Sequence, residues 1–240
     1  APEQAAAAED ILRSVHDLFA RGVAAEQVTS IASALNDALT HRLIDLVSAS
    51  RALQGQWCWL ALGSEGRMEQ TFVTDQDNAL IFTGVADNTR LLEFADEVNR
   101  ALDAAGFPLC KGDIMARNPR WSLSAADWRG VFDGWIRSPQ PEALLNASIF
   151  FDFRPLAGEA RLAGSLREGV LAQTKANRSF LRGLTENALQ SRPPLALLQD
   201  FSADTLNLKA SGARPFVDAA RILALAEGIA ETSTARRLRA

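Results

Sequence analysis

Cysteine is scarce. Cys58 and Cys110 are the only two in 240 residues, both sit in apolar surroundings, and neither belongs to a CxxC pair. That excludes a disulfide framework and supplies no zinc-ligand pattern. Histidine is as rare: His16 and His41 stand far apart, with no cluster of cysteines or carboxylates beside them, and read as surface residues. Long hydrophobic runs are missing too. Stretches such as Trp57 to Leu62 fall far short of the roughly 20 residues of a membrane span. There is no excess of positive charge; the net charge of −4 gives non-specific nucleic-acid binding no support. The Ala-rich N-terminus carries Glu3, Glu9 and Asp10, unlike a signal peptide, so the expected compartment is the cytoplasm. The chain starts with Ala and stops just after a basic helical pattern, so a piece of a longer polypeptide is expected.

What is present is ordinary globular composition, 48% hydrophobic and 22% charged, with enough chain to bury a sizeable core. Residues 5–53 read as helices. Ile11, Val15, Leu18 and Phe19 fall at helical spacing before Gly22, and a second pattern runs from Val28 to Leu46. The run at 57–62 (WCWLAL) predicts a buried strand. After GSEGRMEQ, the segment TFVTDQDNALIF predicts another, with Asp75, Asp77 and Ala79 alternating against Gln76, Asn78 and Leu80. An amphipathic helix is expected over 89–105, a weaker strand over 107–115, and a helix over 124–137. Another helix should start at Pro141, followed by a buried strand over 148–153 (SIFFDF). From about 160 the pattern is helical (160–175, 177–190 and 215–230), punctuated by Pro193-Pro194 and Gly212. These elements imply an α+β fold divided into an N-terminal helical segment (1–54), a core with a small mixed sheet (55–157) and a helical region (158–240).

The chemistry centres on Asp75 and Asp77. Residues i and i+2 of a strand share a face, so the two carboxylates project together at the entrance of an apolar strand. Two such acids repel one another, and a hard divalent cation relieves that repulsion. A turn is the plain alternative, since Thr74-Asp75-Gln76-Asp77-Asn78 is also turn chemistry. Gly63 and Ser64, the latter eleven residues before Asp75, let backbone and hydroxyl approach a phosphate, and Arg67 offers forked donors. Asp152 lies among five apolar or aromatic positions. It reads as a third metal ligand or a general base, or else as half of a buried salt bridge with Arg154 or Arg67. Lys111 and the stretch Arg117-Asn118-Pro119-Arg120 read as a phosphate or base contact, or as a solvated loop.

The run WLALGSEGRMEQTFVTDQDNALIF resembles the polymerase-β-type nucleotidyltransferase superfamily: GS, a short helix, then DxD on the next strand. More narrowly it resembles the bacterial signalling nucleotidyltransferases that are often fused to CBS-pair and cyclic-nucleotide-binding modules. Those are similar to protein-PII uridylyltransferases and glutamine synthetase adenylyltransferases. The resemblance continues through GFPLCKGDIMARNPRWSLS, PEALLNASIFFDFRPLAG and LNLKASGARPFVDAARILALAEGI.

It implies a polymerase-β-like core flanked by helices. It further implies Mg²⁺ (or Mn²⁺) held by Asp75, Asp77 and Asp152, and an NTP whose triphosphate is embraced by Gly63 and Ser64. Arg67 and Glu69 match its GRxE element, with Asn118 and Arg154 as supporting residues. Lys111-Gly112-Asp113 departs from the small residues expected there and adds Asp113 as a rival acid. The implied acceptor is a hydroxyl on a regulatory protein. The alternatives are a non-catalytic NTP-sensing module and a small-molecule nucleotidyltransferase. No nucleic-acid or membrane partner is expected, and the region from about 158 resembles a substrate-binding domain.

Overall fold

The computed structural model describes residues 2–71, 75–190 and 209–240. The expected start of the second strand at Phe72, Val73 and Thr74, the Pro193-Pro194 break and Leu206-Asn207-Leu208 lie outside the described residues. By contact, the chain forms two compact units, each built from two stretches: residues 1–128 with 153–166, and residues 129–152 with 167–240. The three consecutive domains read from the sequence therefore become two interleaved units. The reason is packing. Leu43, Ile44 and Val47 from the N-terminal helices join the same core as the sheet. The stretch from 129 to 152 packs with the C-terminal helices instead.

The first unit holds α1 (Pro2–Ala20), α2 (Ala25–Ser48), β1 (Gln56–Ala61), α3 (Gly63–Gly66), β2 (Asn78–Thr83) and α4 (Thr89–Ala104). A 3₁₀ turn (Pro119–Trp121), β3 (Ser122–Ser124), β4 (Arg154–Gly158) and the start of α7 (Ala160–Thr174) complete it. The sheet runs in the order β3-β2-β1-β4. β1 pairs antiparallel with both β2 and β4, and β2 pairs parallel with β3. This small mixed sheet with its helices is the α+β arrangement expected from the sequence pattern, and it is consistent with the polymerase-β-like core that the resemblance implies.

β1 is central because it is apolar on both faces: Cys58, Trp59, Leu60 and Ala61 are all buried. α4 lays Leu91, Phe94, Ala95, Val98 and Leu102 against the sheet as one stripe. Trp57 and Trp59 both meet the Phe94 ring, with centroids 5.1 and 6.2 Å away. Full burial of such side chains stabilises by roughly 1.5–3 kcal/mol each. The Trp128 indole N–H donates to the Leu80 carbonyl at 2.9 Å, tying the start of α5 (Ala125–Arg137) to β2. β4 ends at Gly158, whose φ of +86° and approach to the Trp57 carbonyl leave no room for a side chain.

The second unit holds the rest of α5, α6 (Pro141–Phe150), the rest of α7, α8 (Arg178–Leu189), a π-helical turn (Lys209–Ala213), α9 (Arg214–Glu227) and α10 (Thr234–Arg239). Its core is aromatic, with Phe132 and Phe180 packed on Phe151, and Trp135 on Phe150. Two expectations are corrected. Residues 148–153 are not a strand: α6 continues to Phe150, with Ala143, Leu144, Ala147 and Phe150 buried at helical spacing, and a turn then leads into β4. Residues 107–115 form no strand either, but a loop that returns alongside residues 76–78. No helix among the described residues is long and apolar enough to cross a membrane.

Candidate functional site

The site lies in the first unit, where the end of β1, the start of β2 and the loop 107–118 meet. Leu62 N–H donates to the Asp77 carbonyl at 2.9 Å, carrying the β1–β2 pairing past the strand ends. The chain then turns into α3 at Gly63, which has φ +52°. A side chain there would start 3.3 Å from Asp77 Oδ2. Gly63 and the second acid are therefore close neighbours, although Asp77 lies fourteen residues further along the chain.

The sequence DQDN splits by face. Asp75 is exposed and Asp77 half-buried, whereas Gln76 and Asn78 are almost fully buried. The inward pair meets Asn99 of α4. Asn99 Nδ2 donates to Gln76 Oε1 at 2.7 Å and to Asn78 Oδ1 at 3.0 Å. Gln76 Nε2 donates to the Asn99 and Phe107 carbonyls. Ala116 N–H donates to Asn78 Oδ1 and Arg117 N–H to Asn99 Oδ1. Buried amides need partners, and here each one fixes a piece of the site's backbone. Sequence reasoning recorded the alternation but missed this brace. Its signal was the placing of two amides, not apolar residues, between and after the acids.

The loop 107–118 is pinned on both sides of Asp77. Gln76 N–H donates to the Pro108 carbonyl at 3.0 Å and Asn78 N–H to the Ile114 carbonyl at 3.1 Å. The chain between those bonds carries Cys110 to the acids. Among the described residues, Asp75, Asp77 and Cys110 are the one group of three whose ligand atoms lie within 4.8 Å of one another. Burial pushes the Cys110 thiol up to about 11. Backbone N–H groups of Ile114 and Gly112 pull the other way, and the charge and acceptor oxygen of Asp77 add to the rise. The sequence had set this cysteine aside because it lacks a CxxC partner. Two neighbouring carboxylates, one exposed and one half-buried, are the kind of oxygen donors that suit a hard divalent cation, and the thiol is a softer donor.

Other expected residues take supporting places. Arg67 Nε donates to Glu69 Oε2 at 2.8 Å in a largely buried ion pair that closes the turn after α3, where Met68 has φ 59°. Arg154 on β4 pairs with Asp37 at 2.9 Å and donates to the Glu65 carbonyl at 3.2 Å, holding α3 in place. Glu65 is buried, and its carboxyl is pushed up to about 8. Desolvation is the main cause, Asp37 and Asp77 add to it, and Arg154 opposes it. Glu65, Asp75, Gln76 and Asn78 all line a small cavity behind the acids. Lys111 is exposed on the Cys110 turn. Asn118 caps the 3₁₀ turn by accepting from Arg120 N–H, and its Nδ2 donates to Asp113 Oδ2 at 2.9 Å. The rival acid Asp113 is thereby tied into its own loop, away from the Asp75–Asp77–Cys110 group. A larger cavity of about 390 Å³ opens beside Ile11, Leu12, Val15, Phe107 and Pro108, but it contains neither Asp75 nor Asp77.

Asp152 corrects the expectation of a third metal-holding acid. It belongs to the second unit and is completely buried. Arg221 grips both its oxygens, Nε to Oδ1 at 3.0 Å and Nη2 to Oδ2 at 2.7 Å. Arg237 Nη1 lies 2.8 Å from Oδ1. Arg221 also reaches Asp218 at 2.6 Å. Burial alone lowers the Arg221 pKa, but Asp152 and Asp218 outweigh it and raise the pKa overall. Arg167 beside them donates to the Phe151 carbonyl at 2.6 Å, its pKa lowered to about 10 by burial. A bidentate arginine neutralises the carboxylate where it stands. The partners were foreseen in kind but not in identity: neither Arg154 nor Arg67 takes part.

Residues 9–142 match the family model described as "Putative nucleotidyltransferase DUF294". Residues 178–240 match the model described as "Putative nucleotidyltransferase substrate binding domain". No curated protein matches the chain.

Proposed function

Because the chain belongs to the DUF294 family of putative nucleotidyltransferases, we propose that it moves a nucleoside monophosphate from an NTP to an acceptor hydroxyl, with Mg²⁺ or Mn²⁺ held by Asp75 and Asp77. The observation that carries this reading is the close approach of the Gly63 turn to Asp77, beside an exposed Asp75 whose carboxylate lies within 4.8 Å of that of Asp77. A divalent ion bound to the pair supplies charge neutralisation for the triphosphate and for the departing pyrophosphate. The new bond joins the acceptor oxygen to the α-phosphorus. The bond from that phosphorus to the β-phosphate oxygen breaks, its electron pair leaves with pyrophosphate, and the hydroxyl proton passes to solvent.

The chain's own part is positioning. Gly63, bare of a side chain, lets a phosphate oxygen approach the backbone, and the half-buried Ser64 hydroxyl donates to it. Lys111, on the turn that also carries Cys110, offers a mobile cation at the open side. The Gln76–Asn78–Asn99 brace holds both acids still, which is where much of the rate enhancement of such a site resides. The helical region from 178 takes the acceptor, in keeping with its family description. By the resemblance to protein-PII uridylyltransferases, that acceptor is a side chain of a regulatory protein in the cytoplasm, and CBS-pair or cyclic-nucleotide-binding modules are the attached regulators.

Replacing Asp77 with Asn tests the reading. Pyrophosphate release from labelled ATP or UTP across a panel of acceptors is expected to fall about a hundredfold or more, with the fold intact by circular dichroism. Near-normal turnover of D77N would remove the acids from the mechanism. A second reading, an NTP-sensing module without turnover, draws on the engagement of Asp152 by Arg221 and Arg237, which leaves two acids at the site. It expects calorimetric NTP binding that depends on Asp77, with no pyrophosphate from any acceptor.

A further inference from the structure

The geometry points to Cys110 as the third ligand of the cation site, a sulfur donor where an oxygen donor was expected, so that the site takes thiophilic divalent ions such as Cd²⁺ and Zn²⁺ as well as hard ones. This inference rests on the reading of Asp75 and Asp77 as a cation-holding pair and adds a specificity-determining residue to it.

Four observations converge. The Sγ atom and one oxygen from each acid lie within 4.8 Å of one another. Two ligands across one ion stand no more than about 4.5 Å apart at ordinary metal–sulfur and metal–oxygen lengths, so a small side-chain adjustment closes the set. The position of Cys110 is set by the backbone, because its loop is bonded to residue 76 on one side of the acid and to residue 78 on the other. Asp113 N–H donates to the Cys110 carbonyl at 2.9 Å, closing the turn on which the sulfur sits. Finally, Asp152, the acid expected to complete the set, is gripped by arginines within the second unit.

Binding forms the metal–sulfur bond as the thiol proton leaves to solvent, with no change in oxidation state. Two carboxylates alone favour Mg²⁺, Ca²⁺ and Mn²⁺; adding one thiolate shifts the preference toward Zn²⁺ and Cd²⁺.

Cd²⁺ itself is the probe, titrated into the metal-free 240-residue chain while the ultraviolet thiolate-to-metal charge-transfer band is followed. One equivalent is expected to produce the band in the parent and in C58A, since Cys58 is fully buried in β1. C110S is expected to lose the band and to bind Cd²⁺ about tenfold or more weakly by calorimetry, because losing even an outer partner of a metal ligand costs about 10–100-fold. C110S is also expected to keep Mn²⁺ affinity, read by electron paramagnetic resonance, within a few-fold of the parent. A parent without the band, or C110S with unchanged Cd²⁺ affinity, overturns the assignment. If Mn²⁺ then still binds and D77N abolishes that binding, the carboxylate pair survives as the cation site without Cys110. If Mn²⁺ binding is absent or indifferent to D77N, both fail.

Discussion

A methyl group on Gly63 would stand 3.3 Å from Oδ2 of Asp77, tight enough that the acid must give by a few tenths of an ångström. The backbone there has φ +52°, in the left-handed region. Gly63→Ala therefore strains the turn and displaces the acid together. A stability loss of about 1–2 kcal/mol is expected from the backbone alone. Urea denaturation measures it, and a parallel Mn²⁺ titration is expected to show weaker binding. Unchanged Mn²⁺ affinity would separate the turn from the acid.

Asn99 touches neither acid, yet it holds Gln76 and Asn78 from behind. Asn99→Leu fits the volume and strands several buried polar groups. The expected loss is about 1–3 kcal/mol for each group left without a partner. Cation affinity is expected to weaken with it, whereas an exposed substitution of equal destabilisation, placed on α1, leaves affinity alone. Equal affinities in the two variants would show that the brace supports the fold only.

Asp152→Asn leaves Arg221 and Arg237 buried against a neutral amide. Breaking a buried pair from one side costs about 3–5 kcal/mol. Limited proteolysis is expected to cut within 129–152 or 167–240 at lower denaturant than in the parent, with Mn²⁺ affinity unchanged. A large drop in Mn²⁺ affinity at undiminished stability would return Asp152 to the cation site.

Glu65 supplies a pH signature. Its folded carboxyl, pushed up to about 8, keeps a proton that the unfolded chain releases near 4.5, the ordinary value of a glutamate. The native state thus binds more protons across that window, and stability falls as pH rises through it, levelling off above about 8. Glu65→Gln removes the dependence. The variant is expected to match the parent at pH 4 and to exceed it in thermal midpoint at pH 9. A constant difference between the two curves would contradict the shift.

How far residues alone reveal this molecule depends on the range of the forces involved. α4 was legible because Leu91, Phe94, Ala95, Val98 and Leu102 recur at one period and Gly106 follows. α6 was misread at its end because Ile149, Phe150 and Phe151 are apolar without a break, and such a run does not distinguish a buried strand from a buried helix. Its helical period lies further back, in Ala143, Leu144 and Ala147. The Asp75–Asp77 pair could be picked out from local alternation and spacing. Cys110 could not, because its approach depends on a loop returning over some thirty residues. The arginines of Asp152 could not either: Arg221 is 69 residues away, and charge complementarity over that distance has no local signature.

The buried carboxylate at 152 also imposes an order on synthesis. It is synthesised 69 residues before Arg221, the guanidinium that grips both its oxygens. At about 5–20 residues per second, that is a wait of roughly 3–14 s. From residue 166 onward the sheet-bearing unit has every segment it needs, while the aromatic helices after Trp128 still lack the bidentate partner of their buried carboxylate. Translation pauses between residues 167 and 221 would lengthen the exposure of Phe132, Trp135, Phe150 and Phe151 to chaperones, without touching the half that carries Asp75 and Asp77.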